Sequence, residues 1–193
     1  MMEFNGEDDA DLSDTDMAGA DLVGASLSDA DMADVDLTDA DLSDANLIGA
    51  DLSGANLSNA VLRGASIGHA DLEGADLSGA DLSGSSLIFA DLSDADLSDA
   101  DLSDANLMFA DVSRANLSGA NLARASFVFA RLSRADLSDA DLSDADLRSA
   151  DLSNADLSGT ALRNADFSYA VLSGADLART NLSEATVPER YLP

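Results

Sequence analysis

Ala95-Asp96-Leu97-Ser98-Asp99 is followed at once by Ala100-Asp101-Leu102-Ser103-Asp104, and the reading of this short unit decides the fold. Every fifth residue from Ala10 to Ala185 is small, usually alanine, and two residues after each stands a leucine or a close substitute. The frame never slips by insertion or deletion. A unit this short cannot bury its own leucine, so successive units must stack and share one core. Alanine and leucine lie two apart, so on an extended chain they point to the same side. The remaining positions are rich in Asp, Ser, Asn and Gly, which face water or turn a corner. Short extended pieces joined by frequent turns describe a β-helix.

Departures from the consensus set the number of units per coil. Phe89, Phe109 and Phe129 recur at intervals of 20, with His69 and Tyr169 in the same register. Ile48, Ile88, Met108 and Val128 occupy the slot before, also in steps of 20. A coil of four units places these residues above one another, whereas three or five would scatter them. Four sides and 20 residues per turn follow.

With so many in-frame copies of an A(D/N)LXX unit over about residues 10 to 187, the chain resembles the pentapeptide-repeat family. The resemblance implies an all-β fold, a right-handed quadrilateral parallel β-helix of about nine coils. It places inside the central residues Leu12, Leu52, Leu97, Leu137 and Leu182, with Met17, Met32, Ile67, Val112, Phe127, Phe167 and Val187 as variants. The small inward slot then takes Thr15, Val35, Ser85, Thr160 and Thr180. Residues 1–9 are expected to form a lead, 10–187 the solenoid and 188–193 a tail. Quinolone-protection members carry loops that interrupt the coils, and mycobacterial-type members dimerise through a C-terminal helix. This chain has no such loop, and Pro188 and Pro193 exclude a useful helix in the tail. Both departures weaken the transfer of gyrase-related function.

Net charge is −29, with nine arginines, no lysine and no cysteine. Direct binding to nucleic acid or to an anionic membrane is disfavoured by repulsion. The acidic N-terminus lacks the apolar stretch of a signal peptide, and no run approaches the ~20 residues of a membrane span. A cytoplasmic protein is expected. Acidic, lysine-free composition suits a halophilic cytoplasm, where salt near ~1 M screens charge within about 3 Å. The repeat itself also demands much of the aspartate.

One side differs from the other three. Between Asn46 and Phe129 the side built on Leu47, Ile67, Leu87, Leu107 and Phe127 shows no outward acidic residue. Five coils at roughly 4.8 Å give a patch of a few hundred Å², the size that marks an interface. A homodimer joined through Ile48, His69, Ile88, Phe89, Met108, Phe109, Val128, Phe129 and Tyr169 is expected in preference to a foreign partner. A two-fold axis near Phe109 would bring Phe89 of one copy to Phe129 of the other.

The acidic sides carry the competing reading. Over a rod of about 43 Å the net charge averages about 1.5 Å per charge, close to the ~1.7 Å of duplex DNA. Some members of the family resembled are thought to mimic DNA on type II topoisomerases. By that resemblance Asp71, Asp91 and Asp111, or Asp76, Asp96 and Asp136, would stand in for phosphates on DNA gyrase. A solvated acidic face explains the same count without a target. Arg114, Arg131 and Arg134 interrupt one column of the first side and are expected to neutralise neighbouring aspartates.

Catalysis has little to work with. His69 is the one histidine and sits in the phenylalanine register, and no serine is set apart beside a base. The Asp94–Asp99 stretch lacks the Gly and bidentate Glu of a calcium loop, so no metal or cofactor is implied. Phe4 and Leu192 are the candidate end caps, and caps this slight would permit end-to-end filaments against charge repulsion. The sequence therefore points to a non-enzymatic rigid scaffold, with the DNA mimic and the filament as alternatives.

Overall fold

A computed structural model describes residues 10–188 and Tyr191. The second position of each unit pairs in parallel with the residue 20 later, from Asp11↔Asp31 through Asp166↔Thr186. The expected coil length of four units is therefore the observed one. We name the sides by their central residues: the first begins at Leu12, the second at Met17, the third at Leu22 and the fourth at Leu27.

One unit accounts for all of its backbone donors. Asp96 donates to the Ala75 carbonyl at 2.9 Å, while Leu97 and Asp99 donate to the Asn116 and Ser118 carbonyls at 2.7 and 3.0 Å. Ala100 donates back to Leu97 at 3.2 Å, closing a turn. That leaves Ser98, whose N–H is accepted by its own unit's Asp96 Oδ1 at 2.9 Å. The aspartate of the repeat is thus a backbone ligand, because a donor without a partner is costly. Asn56 and Asn116 do the same for Ser58 and Ser118 at 3.1 Å, so the carboxylate charge is not what the turn needs.

The third residue of every turn from Asp14 to Arg179 has positive φ. A turn closed from first to fourth residue with that sign is type II, which favours Gly or Asn there. Aspartates fill much of the column, glycines another part, and the coil hydrogen bonds impose the same conformation on everything else.

Leucines and alanines from Leu22 to Leu172 form one continuous core, with Phe127 and Phe167 its largest buried side chains. Val35 and Ser85 are buried in the small slot as expected. Thr15, expected inside, is exposed, and Leu12, Met17, Leu182 and Val187 are only partly covered. These lie in the end coils, which have a neighbour on one face only. At the C-terminal end the Tyr191 hydroxyl accepts the Leu172 N–H at 3.0 Å, supplying the acceptor that a further coil would otherwise provide. Phe4 and Leu192, the expected caps, lie outside the described residues.

Candidate functional site

The aromatic side is the fourth. His69, Phe89, Phe109 and Phe129 all stand at the third residue of a turn, with φ of 61, 62, 62 and 60°. Bulky side chains are genuine outliers in this region, at a cost of roughly 1–2 kcal/mol for an L-residue. Their rings stack in sequence: His69 on Phe89 at 5.1 Å, Phe89 on Phe109 at 4.9 Å, Phe109 on Phe129 at 5.3 Å. The planes are inclined by 17, 11 and 6°, so the coil rise of about 4.8 Å sets the spacing. Each stacked pair recovers on the order of 0.5–1.5 kcal/mol, which offsets only part of the backbone strain. Phe89, Phe109 and Phe129 remain exposed at 50, 43 and 54%.

Ile88, Met108 and Val128 are half-buried beside the stack, and Ile48 is exposed at one end. Tyr169 shares the register but not the stack, since Ser149 occupies the coil between it and Phe129, and it is 82% exposed. The predicted contact residues thus separate into a continuous four-ring stack, the flanking Ile88, Met108 and Val128, and two outliers, Ile48 and Tyr169.

This side gives up a second local rule. Asn46 and Asn106 still accept the N–H groups of Ile48 and Met108, at 3.3 and 3.2 Å. At Ser66, Ser86 and Ser126 the aspartate is replaced by a shorter side chain, and Gly68, Ile88 and Val128 lose that acceptor. Two departures from what the turn prefers therefore coincide on one face. Such departures collect at functional positions.

The acidic columns are built differently. Asp71, Asp91 and Asp111 pair successively, but each spends one oxygen on its own turn, accepting from Glu73, Ser93 and Ser113 at 2.9, 2.9 and 3.0 Å. Asp76, Asp96 and Asp136 do likewise, with Asn116 interposed between Asp96 and Asp136 and donating to Asp96 at 3.0 Å. The three arginines of the first side stand in two columns rather than one. Arg131 follows Asp111 in the paired column and bonds it at 3.1 Å. Arg114 and Arg134 stand in the turn column, because their slot lies three residues further along the unit; Arg114 binds Asp94. Arg134 makes no ion pair among the described residues. The Arg114 hydrogen bond holds the Asp94 carboxyl below the usual carboxylate range, and Arg124 does the same for Asp104.

No group of three or more His, Cys, Asp or Glu side chains among the described residues is arranged to hold a metal ion. No described helix is long and apolar enough to cross a membrane. Near the C-terminal end, Thr160, Leu162, Arg163, Arg179, Asn181 and Glu184 border an open cleft of about 260 Å³.

Four sides, parallel pairing along each side and a leucine core define a pentapeptide-repeat solenoid. The pentapeptide-repeat family matches residues 8–44, 40–79, 65–104, 75–114, 105–144 and 145–184, and this chain belongs to that family. Its β-helix is right-handed, as in the solved structures it resembles. One of these is HetL of the cyanobacterium Nostoc, a pentapeptide-repeat protein involved in heterocyst differentiation regulation. It is 34% identical over 95% of this chain and 89% of its own, with a TM-score of 0.47. A trypsin-treated form of QnrB1, a plasmid-mediated fluoroquinolone resistance protein, is 20% identical over 90% of this chain and 91% of its own, with a TM-score of 0.55. Rfr23 of the cyanobacterium Cyanothece is 29% identical over 61% of this chain and 64% of its own, with a TM-score of 0.43. Curated proteins gave no match.

Proposed function

We propose that this protein is a non-enzymatic, rigid interaction scaffold that self-associates through its fourth side. The observation that carries this reading is the stack His69–Phe89–Phe109–Phe129, held at strained turn positions and left exposed on a chain of net charge −29. A solvated face would not retain four rings there, since aspartate or glycine fits the turn at less cost. Covering the rings with apolar surface supplies what stacking alone does not. The test is gel filtration of Phe109→Asp beside the wild type in high salt. The variant should elute later with its circular dichroism unchanged, and co-elution of the two would count against the reading.

The acidic columns support a second reading, in which Asp71, Asp91 and Asp111 present charge at coil spacing to a DNA-binding protein such as DNA gyrase. Inhibition of gyrase supercoiling that disappears when these three become Asn would favour it. Indifference to those changes leaves the scaffold. End-to-end filaments have less support, because Tyr191 already occupies the acceptor position above Leu172.

A further inference from the structure

We propose that the occupant of the fourth side is a second copy laid antiparallel, with its two-fold axis through the Met108–Phe109 coil. Tyr169 of each copy then covers Gly49 of the other, and Arg131 of each faces Asp91 of the other. This rests on the self-association argued above and on the axis expected from the sequence, and adds the choice against parallel docking and the outer contacts.

Two rods packed face to face can be related by a two-fold axis lying in the interface, running either along the rods or across them. The rings stand at the corner between the fourth and first sides, because they occupy the turn position. An axis along the rods exchanges the two edges of the face and lays the ring column on the opposite edge. An axis across the rods keeps every column opposite itself and reverses only the order of the coils. Rings then meet rings, and the Ser and Asn column meets its own kind.

The outward residues read the same in both directions. Ser86-Ile88-Phe89, Asn106-Met108-Phe109 and Ser126-Val128-Phe129 form a palindrome about the middle coil. Reversal sets Ile88 against Val128, Met108 against Met108 and Phe89 against Phe129. Beyond this centre the two halves differ, and they differ in complementary sizes. Gly68 falls opposite Arg148, and Gly49 opposite Tyr169. Tyr169, 82% exposed, thus meets Gly49, where the Asp29 carboxylate lies in the place of a side chain, with Ile48, 44% exposed, beside it. The antiparallel register accounts for the two residues that the ring stack leaves out.

Charge makes the same choice. The edge column following the rings runs Asp91, Asp111, Arg131 through successive parallel bridges. Reversal sets Arg131 opposite Asp91 twice over, while one coil further out Asp71 falls opposite Asp151. Asp111 meets its own copy at the axis, where each already has an Arg131 within 3.1 Å. In the parallel arrangement this edge would meet the column Gly84, Asp104, Arg124, bringing Asp111 to Asp104 and Arg131 to Arg124. Like charges across an interface oppose that docking.

The chain has no cysteine, so introduced thiols report without background. Ile48→Cys, Met108→Cys and Ser168→Cys are treated with a short bismaleimide, singly and as the mixture of the first and third. Antiparallel docking predicts that Met108→Cys links to itself, that neither terminal variant does, and that their mixture does. In that register the two Ile48 positions lie six coils apart, about 29 Å at ~4.8 Å per coil. Self-linking of Ile48→Cys without linking in the mixture would mean parallel docking and overturn the proposal. A dimer by light scattering that none of these thiols links would place the interface elsewhere, also overturning it. A monomeric wild type would refute the underlying self-association instead. Tyr169→Ala should weaken the dimer about tenfold, as expected for a peripheral anchor, and an unchanged dissociation constant would remove Tyr169 from the interface.

Discussion

Phe89 and Phe109 lie with ring centroids 4.9 Å apart and planes inclined by 11°, each on a backbone with φ of 62°. The stack and the strain are therefore one feature: the coil imposes a left-handed turn, and the ring above rewards a side chain that the turn itself disfavours. Phe109→Gly removes both terms together. Relief of roughly 1–2 kcal/mol of backbone strain opposes the loss of two ring contacts of about 0.5–1.5 kcal/mol each. The expected result is an unfolding free energy within about 1 kcal/mol of wild type for the dilute monomer, with self-association abolished. Urea titration at low protein concentration measures the first and gel filtration the second.

Asp96 supplies the acceptor for Ser98 N–H at 2.9 Å, and Asn116 does the same for Ser118 at 3.1 Å. Asp96→Asn should therefore be nearly neutral, whereas Asp96→Ala leaves the donor without its acceptor and should cost about 1 kcal/mol. The urea midpoints of the two variants separate a structural aspartate from one kept for its charge. Equal midpoints would contradict the turn assignment.

The coil register was legible in the sequence because a few residues broke the repeat. Phe89, Phe109 and Phe129 marked the step of 20, and the observed ring stack and parallel bridges fall on that step. The sign of φ beneath those rings was not legible. Asp99, Gly119, Phe129 and Arg134 share one backbone conformation, imposed by coil hydrogen bonds and not by local preference. Arg114 and Arg131 share a side but not a column, and the repeat frame already separates them, since Arg131 lies 20 residues after Asp111 and Arg114 only three. Tyr191 gave no periodic signal, since it reaches Leu172 through its hydroxyl rather than as part of a coil.

Aspartates stacked at coil spacing repel, and salt screens exposed pairs beyond a few ångströms. With a net charge of −29, the melting temperature should rise between about 0.05 and 2 M KCl, a range from weak to near-complete screening. A flat or falling melting temperature over that range contradicts this.

Asp36 and Asp41 titrate below the usual carboxylate value of 3.8, each because the side chain of Thr38 or Ser43 and then its backbone N–H bond the carboxylate. A depressed folded pKa contributes stability that is present above the unfolded value and lost as pH falls through the folded one. In high salt, where relief of repulsion on protonation is suppressed, the melting temperature should hold from neutrality down to the unfolded value. Below 3.8 it should fall. Differential scanning calorimetry in 2 M KCl, at near-complete screening (Debye length about 3 Å or less), makes this measurable. A melting temperature that climbs below that pH would show that residual repulsion outweighs the turn hydrogen bonds.

The most direct test of the fourth side as a self-association surface is absolute mass by light scattering after gel filtration, in high salt and across a dilution series. For a chain of 19.7 kDa, wild type should give twice that mass at the higher concentrations and Phe109→Asp the single-chain mass throughout. A wild type that stays at the single-chain mass at every concentration would contradict it.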